Sequence, residues 1–159
     1  MTETKDTPTP PATPSRRPLA GWLLTVAGAV GVITGAVPLA INAVRVVTGC
    51  GLRGGLAGHG VEALGLTVEW GLLSSAMGVC LGVLLLAAGA GWRNARPWAA
   101  PISWAYVLFG LGVNASDMTI FLFRSTPGPT RTLMLLSDGV AFLIPLALAL
   151  WLATRSRER

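Results

Sequence analysis

Apolar residues along this chain are gathered into four long blocks, at about residues 19–44, 66–91, 98–123 and 131–153, with polar and charged residues collected between them. Each block holds enough apolar residues for the roughly 20 that a hydrocarbon core about 30 Å thick requires. Backbone groups left unpaired in lipid cost several kcal/mol each, so only helices and closed barrels cross a bilayer. The runs are continuous, without the strict alternation of a barrel strand. The pattern therefore predicts an all-α integral membrane protein, a bundle of four transmembrane helices.

The stretches outside the blocks complete the organisation. Residues 1–18 contain five of the eleven prolines, several threonines and Arg16 and Arg17, and almost nothing that could build a core, as expected of a disordered tail. The apolar block that follows is too long for the roughly 7 to 15 apolar residues of a signal peptide, so the first span reads as an uncleaved anchor. The transmembrane domain then covers residues 19–153, and a basic terminus covers 154–159. The longest connection, from Arg45 to about Gly65, is rich in glycine and is expected to be an external loop near the headgroups. No internal repeat is evident.

Basic residues beside the spans set the orientation. The tail, the second connection and the C-terminus carry Lys5, Arg16, Arg17, Arg93, Arg96, Arg155, Arg157 and Arg159, eight in all, whereas the other side carries only Arg45, Arg53, Arg124 and Arg131. Eight against four places both termini in the cytoplasm. Trp92 and Trp98 bracket the short second connection like interfacial anchors, and Trp22 and Trp151 are expected at the same inner boundary. Trp70 would mark the outer boundary, and Trp104 has no evident role.

Composition supports the membrane assignment and narrows the chemistry. Hydrophobic residues make up 52% of the chain and charged residues only 12%, against about 25% charged in an ordinary soluble domain. The net charge of +5 does not form a nucleic-acid footprint, because the basic residues flank the apolar blocks and do not cluster in one patch. The basic residues are nearly all Arg, and with abundant Ala and Gly this is what a GC-rich genome encodes, pointing to a bacterial inner membrane. Cys50 and Cys80 fall at different depths and are not expected to bridge. Cys80 reads as a small buried apolar side chain. His59 stands alone in the glycine-rich loop, so neither a haem nor a zinc site has its ligands, and no cofactor is expected.

Two features give the helices distinct faces. Lipid tails provide no hydrophobic reason for helices to associate, so bundles rely on small residues and polar contacts. Ala27, Gly31 and Gly35 recur every four residues in the first span, and Ser74, Gly78 and Gly82 do so in the second; both ridges are expected at helix contacts, within the chain, in a homo-oligomer or against a partner subunit. Gly110, Asn114 and Asp117 share one face of the third span, as do Gly31, Gly35, Pro38, Asn42 and Arg45 on the first.

A polar cluster near the external side follows from these positions. Asp117 lies seven residues before Arg124 and Asp138 seven residues after Arg131, so a helical hairpin sets both carboxylates at one depth, roughly 10 Å inward of the arginines. Asn42, Arg45 and Glu69 belong near the same end. The expectation is an outward-facing cavity lined by Asn42, Arg45, Glu69, Asn114, Asp117 and Asp138, able to exchange a proton or hold a cation. The competing expectation is structural: Asp138 pairs with Arg45 or Arg131, and Asn114 makes one interhelical hydrogen bond. No nucleophile and base stand together, which argues against an enzyme. Two functions follow: a non-enzymatic accessory or partner-binding bundle, and, alternatively, a component of an ion or small-solute transporter.

Overall fold

The structure, a computed structural model, describes residues 17–48 and 65–156, with the side chains of Arg17, Pro18 and Ser156 outside the description. Four α-helices account for nearly all of it: α1 Arg17–Thr48, α2 Val68–Arg93, α3 Ala99–Phe123 and α4 Pro129–Ser156. They contain 32, 26, 25 and 28 residues. At about 1.5 Å per residue every one exceeds a hydrocarbon core of about 30 Å. All four are long and apolar enough to cross a membrane.

The helix ends match the sequence expectation to within a few residues, with one correction. The glycine-rich connection does not begin at Arg45; α1 continues through Thr48, whose hydroxyl donates to the Val44 carbonyl at 2.7 Å. Residues 45–48 lack the glycines that end a helix, and those begin at Gly49. The greater part of the expected tail, the loop residues Cys50, Arg53 and His59, and the last three residues lie outside the described residues. At the start of α2, Thr67 caps the helix by accepting from the Trp70 amide at 3.4 Å.

Consecutive helices run antiparallel, so the start of α1 and the end of α4 share one end of the bundle. Gly21 lies against Gly89 and Arg93, Gly28 against Gly82 and Leu86, and Gly35 against Gly78 and Val79. Along α2 and α3, Gly91 meets Ala99 at one end and Ser74 meets Asp117 at the other. Gly110 of α3 lies near Pro145 of α4.

The contact of α1 with α2 is made backbone to backbone. A Cβ on Gly28 would stand 2.5 Å from the Leu86 amide nitrogen, one on Gly82 2.5 Å from that of Val32, and one on Gly89 2.6 Å from that of Thr25. These glycines follow a spacing of seven, Gly21, Gly28 and Gly35 on α1 against Gly82 and Gly89 on α2. The ridges expected every four residues are used only in part. Gly31, Gly35, Gly78 and Gly82 meet across α1 and α2, where a Cβ on Gly78 would stand 3.8 Å from its nearest neighbour, whereas Ala27 packs toward the apolar core and Ser74 reaches α3.

At the end shared by the termini, polar and aromatic side chains tie all four helices together. The Trp92 indole donates to the Ser103 hydroxyl at 2.9 Å, and Ser103, fully buried, donates to the Ala99 carbonyl at 2.8 Å. Trp92 meets Trp151 edge to face with ring centroids 4.9 Å apart. Arg93 lies 3.7 Å over the Trp22 ring, and Arg155 lies 4.4 Å over Trp151 and 5.2 Å over Trp92. Just inside stands the apolar core of Leu85, Tyr106, Val107, Leu148 and Leu152.

The outside of the bundle is apolar. Val26, Ile33, Leu108, Leu133, Leu136 and Val140 are all more than half exposed, as suits side chains whose solvent is lipid. Trp104 is also exposed on this surface. Cys80, expected to be buried, is exposed as well, because α2 turns its Gly78 and Gly82 side inward and Cys80 away.

Two stability outcomes follow. Gly82→Ala is expected to cost about 1–3 kcal/mol by overpacking, read as a lowered thermal midpoint in mild detergent. Gly112→Ala, whose added Cβ meets nothing within 4 Å, should leave the midpoint unchanged or raise it slightly, because alanine is the better helix former. Ser103→Ala removes the acceptor of a half-buried indole and should cost about 1–2 kcal/mol, with a shift in tryptophan emission; an unchanged spectrum would show that Trp92 has another partner.

Candidate functional site

Between the α1–α2 pair and α4 the helices diverge around a cavity of about 440 Å³, lined by residues of all four. The volume lies within the range of small-ligand pockets, roughly 300–1,000 Å³. Ala27, Val30, Leu81, Leu85, Val113 and Ile144 supply its apolar wall. Its polar groups are Thr34 of α1, Ser74 and Ser75 of α2, Asn114 and Asp117 of α3, and Asp138 of α4, with Tyr106 beside Leu85 at the end nearer the termini.

The structure brings half of the expected set together. Asn114, Asp117 and Asp138 come together on the cavity wall. Asn42, Arg45 and Glu69 do not join them. Asn42 is 1% exposed and Arg45 is buried near the end of α1, beyond Pro38, the last α1 residue on the wall. Glu69 is exposed in the first turn of α2, one turn and more before Ser74. Asn42 and Arg45 lie one to two turns beyond Pro38 along α1, past the part of the helix that lines the cavity.

Ser74, Ser75, Thr34 and Tyr106 are the wall residues that sequence reasoning did not assign to a site. Hydroxyls in an apolar helix usually return to a carbonyl one turn back. Ser75 does so, donating to Gly71 at 2.6 Å, and Thr34 donates to Val30 at 2.9 Å. Ser74 differs, for its hydroxyl donates across to Asp117 Oδ2 at 3.2 Å. In the sequence Ser74 differs from Ser75 in sharing a face with Gly78 and Gly82, which marks it as a contact position but not as a partner of Asp117.

The carboxylates are only partly satisfied. Asp117 is 9% exposed, and its Oδ1 is buried without a hydrogen-bond partner; the same holds for Asp138 Oδ2. Each lies in the other's electrostatic field. Asn114 donates its Nδ2 to the Gly110 carbonyl at 2.8 Å, which leaves the amide oxygen as an acceptor. Arg131, a proposed partner for Asp138, donates to the Leu122 carbonyl at 2.7 Å.

Two prolines add acceptors. Pro38 in α1 and Pro145 in α4 have no N–H, so the carbonyls one turn earlier, on Thr34 and Ala141, lose their helical donors. Thr34 and Ala141 both lie on the cavity wall. No Lys, Arg or His stands among the described residues that line it. The site is thus rich in oxygen acceptors within an apolar enclosure.

Asp117 also forms part of a second recess of about 550 Å³ on the α2–α3 side, where Trp70, Met77, Phe109 and Ile120 lie. The Trp70 indole nitrogen is buried without a hydrogen-bond partner. Asp117 consequently sits in the partition between two spaces. Among the described residues no group of three or more His, Cys, Asp or Glu side chains is placed to hold a metal ion.

Comparison with known protein families, curated proteins and solved structures finds no significant match for this chain.

A buried carboxylate kept for structure and one kept for a ligand respond oppositely to removal. Replacing a poorly satisfied buried charge with an apolar side chain relieves the cost of desolvating that charge. Asp117→Leu is therefore expected to raise the thermal midpoint of the ligand-free protein. A clear fall would mark the Ser74–Asp117 contact as a structural tie.

Proposed function

We propose that this protein resides in the cell membrane, in a bacterial inner membrane with both termini in the cytoplasm, and binds an ion or small solute in the interhelical cavity as a transporter or part of one. One observation carries this reading: the buried carboxylate of Asp117 and the partly buried one of Asp138, each with an oxygen lacking a hydrogen-bond partner, line a cavity with no basic side chain on its described wall. A charge at such depth costs from a few kcal/mol upward, so its retention points to a ligand or a path. Asn114 and the proline-released carbonyls supply further acceptors, which favours a cationic ligand over an anionic one.

The tryptophan and arginine cluster supports the orientation. Trp22, Trp92, Trp151, Arg93 and Arg155 gather at the end shared by the termini, the arrangement expected at a cytoplasmic interface. Beneath the cavity the core of Leu85, Tyr106 and Leu148 stands between the carboxylates and that end. A solute would thus reach Asp117 and Asp138 from the other side or from the bilayer. The tightest glycine contacts, at Gly28, Gly82 and Gly89, are made within the chain, so those positions are not open to a partner subunit.

Two measurements test this. With Cys50 and Cys80 replaced, Gly128→Cys should react with a membrane-impermeant maleimide on intact cells and Asn94→Cys should not; the reverse pattern would invert the topology. Thermal midpoints in lipid nanodiscs should then be compared for the natural protein and the Asp117→Asn, Asp138→Asn pair across inorganic cations, small ammonium ions and neutral solutes. A ligand at about one hundred times its dissociation constant adds about 2.7 kcal/mol, expected for a cation with the natural protein alone. No shift with any solute would refute the binding function.

A further inference from the structure

The bundle does not close between α1 and α4. Among the described elements α1 packs on α2, α2 on α3, and α3 on α4, while α1 and α4 make at most marginal contact. The gap is an apolar groove of about 610 Å³, walled by Leu23 and Leu24 of α1 and by Leu143, Ala147 and Trp151 of α4. Ala27 and Ile144 belong to the walls of both the groove and the polar cavity. The two spaces therefore adjoin, with that pair of residues between them.

Their combined shape has a polar end and an apolar end. Asp138 lies six residues from Ile144 along α4, so the carboxylates stand roughly 9 Å from the junction. From Ala27 the groove runs seven residues back to Ala20, roughly 10 Å further toward the end shared by the termini. The apolar arm faces what would be the acyl-chain region. At the other end stand Asp117 Oδ1 and Asp138 Oδ2, both buried and unpartnered, with the Asn114 amide oxygen beside them.

Resting on the cavity as a binding site, we infer that its ligand is an amphiphilic organic cation that enters from the bilayer between α1 and α4. The ammonium head lies at Asp117, Asp138 and Asn114, and the apolar tail lies in the groove. A primary ammonium carries three donors and no acceptor, which suits a site built of acceptors. An anionic lipid would bring its phosphate to the aspartates, where like charges repel.

The tail gains little by leaving lipid for the groove, because lipid tails are as apolar as leucine. Recognition therefore rests on the head, and the groove serves to let the tail accompany it. Chain-length dependence alone would reflect partition into the bilayer. The decisive comparison is a variant that fills the groove while leaving the cavity wall intact. Ala147 is exposed and belongs to the groove wall but not to the cavity wall, so Ala147→Phe suits this purpose.

The experiment is thermal unfolding in nanodiscs with methylammonium, decylammonium and uncharged decanol, for the natural protein, Ala147→Phe and the Asp117→Asn, Asp138→Asn pair. Decylammonium at about one hundred times its dissociation constant should raise the natural midpoint by about 5–10 °C. It should lose that effect in both variants, and decanol should have none. Ala147→Phe should still respond to methylammonium, which shows that the head site has survived. A full decylammonium response in Ala147→Phe overturns the inference, and if the particle mass of that variant also changes, a second copy of the chain covers the groove instead. A response to methylammonium with none to decylammonium overturns the inference while leaving the cavity as a cation site. Silence toward every cation removes both.

Discussion

The approach of α1 to α2 through glycine, at a separation where a single added carbon would strike the partner's backbone at Gly28, Gly82 or Gly89, governs much of what the rest of the bundle does. In lipid this closeness replaces the hydrophobic effect as a source of association, since it brings backbone atoms of both helices within dispersion range. It also commits the inner face of α1 to one neighbour. With α1 held against α2, α4 meets the bundle chiefly through α3, at Gly110 and Pro145. The cavity and the α1–α4 groove are the space that this unequal pairing leaves.

Polar side chains are distributed between the two ends according to what each end must do. Toward the termini, Trp92 and Ser103 are linked by a hydrogen bond, and Arg93 and Arg155 lie over tryptophan rings. Such contacts join helices and satisfy their donors. Around Asp117 and Asp138 the balance is different, for acceptors outnumber donors and two carboxylate oxygens have no partner. The same chain that satisfies nearly every hydroxyl by returning it to a carbonyl of its own helix sends Ser74 across to Asp117. That contrast is what separates a site from ordinary interhelical glue.

Proline extends the contrast to the backbone. Pro38 and Pro145 sit in helices that must hydrogen-bond their own carbonyls in lipid, and each leaves one carbonyl without its helical donor. Both affected residues, Thr34 and Ala141, line the cavity, where acceptors concentrate. Irregular backbone at membrane depth is tolerated where it lines such a space.

Much of the architecture was legible in the chain itself. The four helices, their ends to within a few residues, the common end for Trp22, Trp92 and Trp151, and the convergence of Asn114, Asp117 and Asp138 follow from apolar run length and helical spacing. These are consequences of rise and rotation per residue within one helix or one hairpin. What required the tertiary structure was everything that depends on how helices distant in sequence rotate and separate. The spacing-of-seven glycine contact, the outward turn of Cys80, the exclusion of Asn42, Arg45 and Glu69 from the cavity wall, and the open gap between α1 and α4 belong to that class. A linear pattern determines which faces a helix possesses, but which face meets which neighbour is decided by the packing of all four at once.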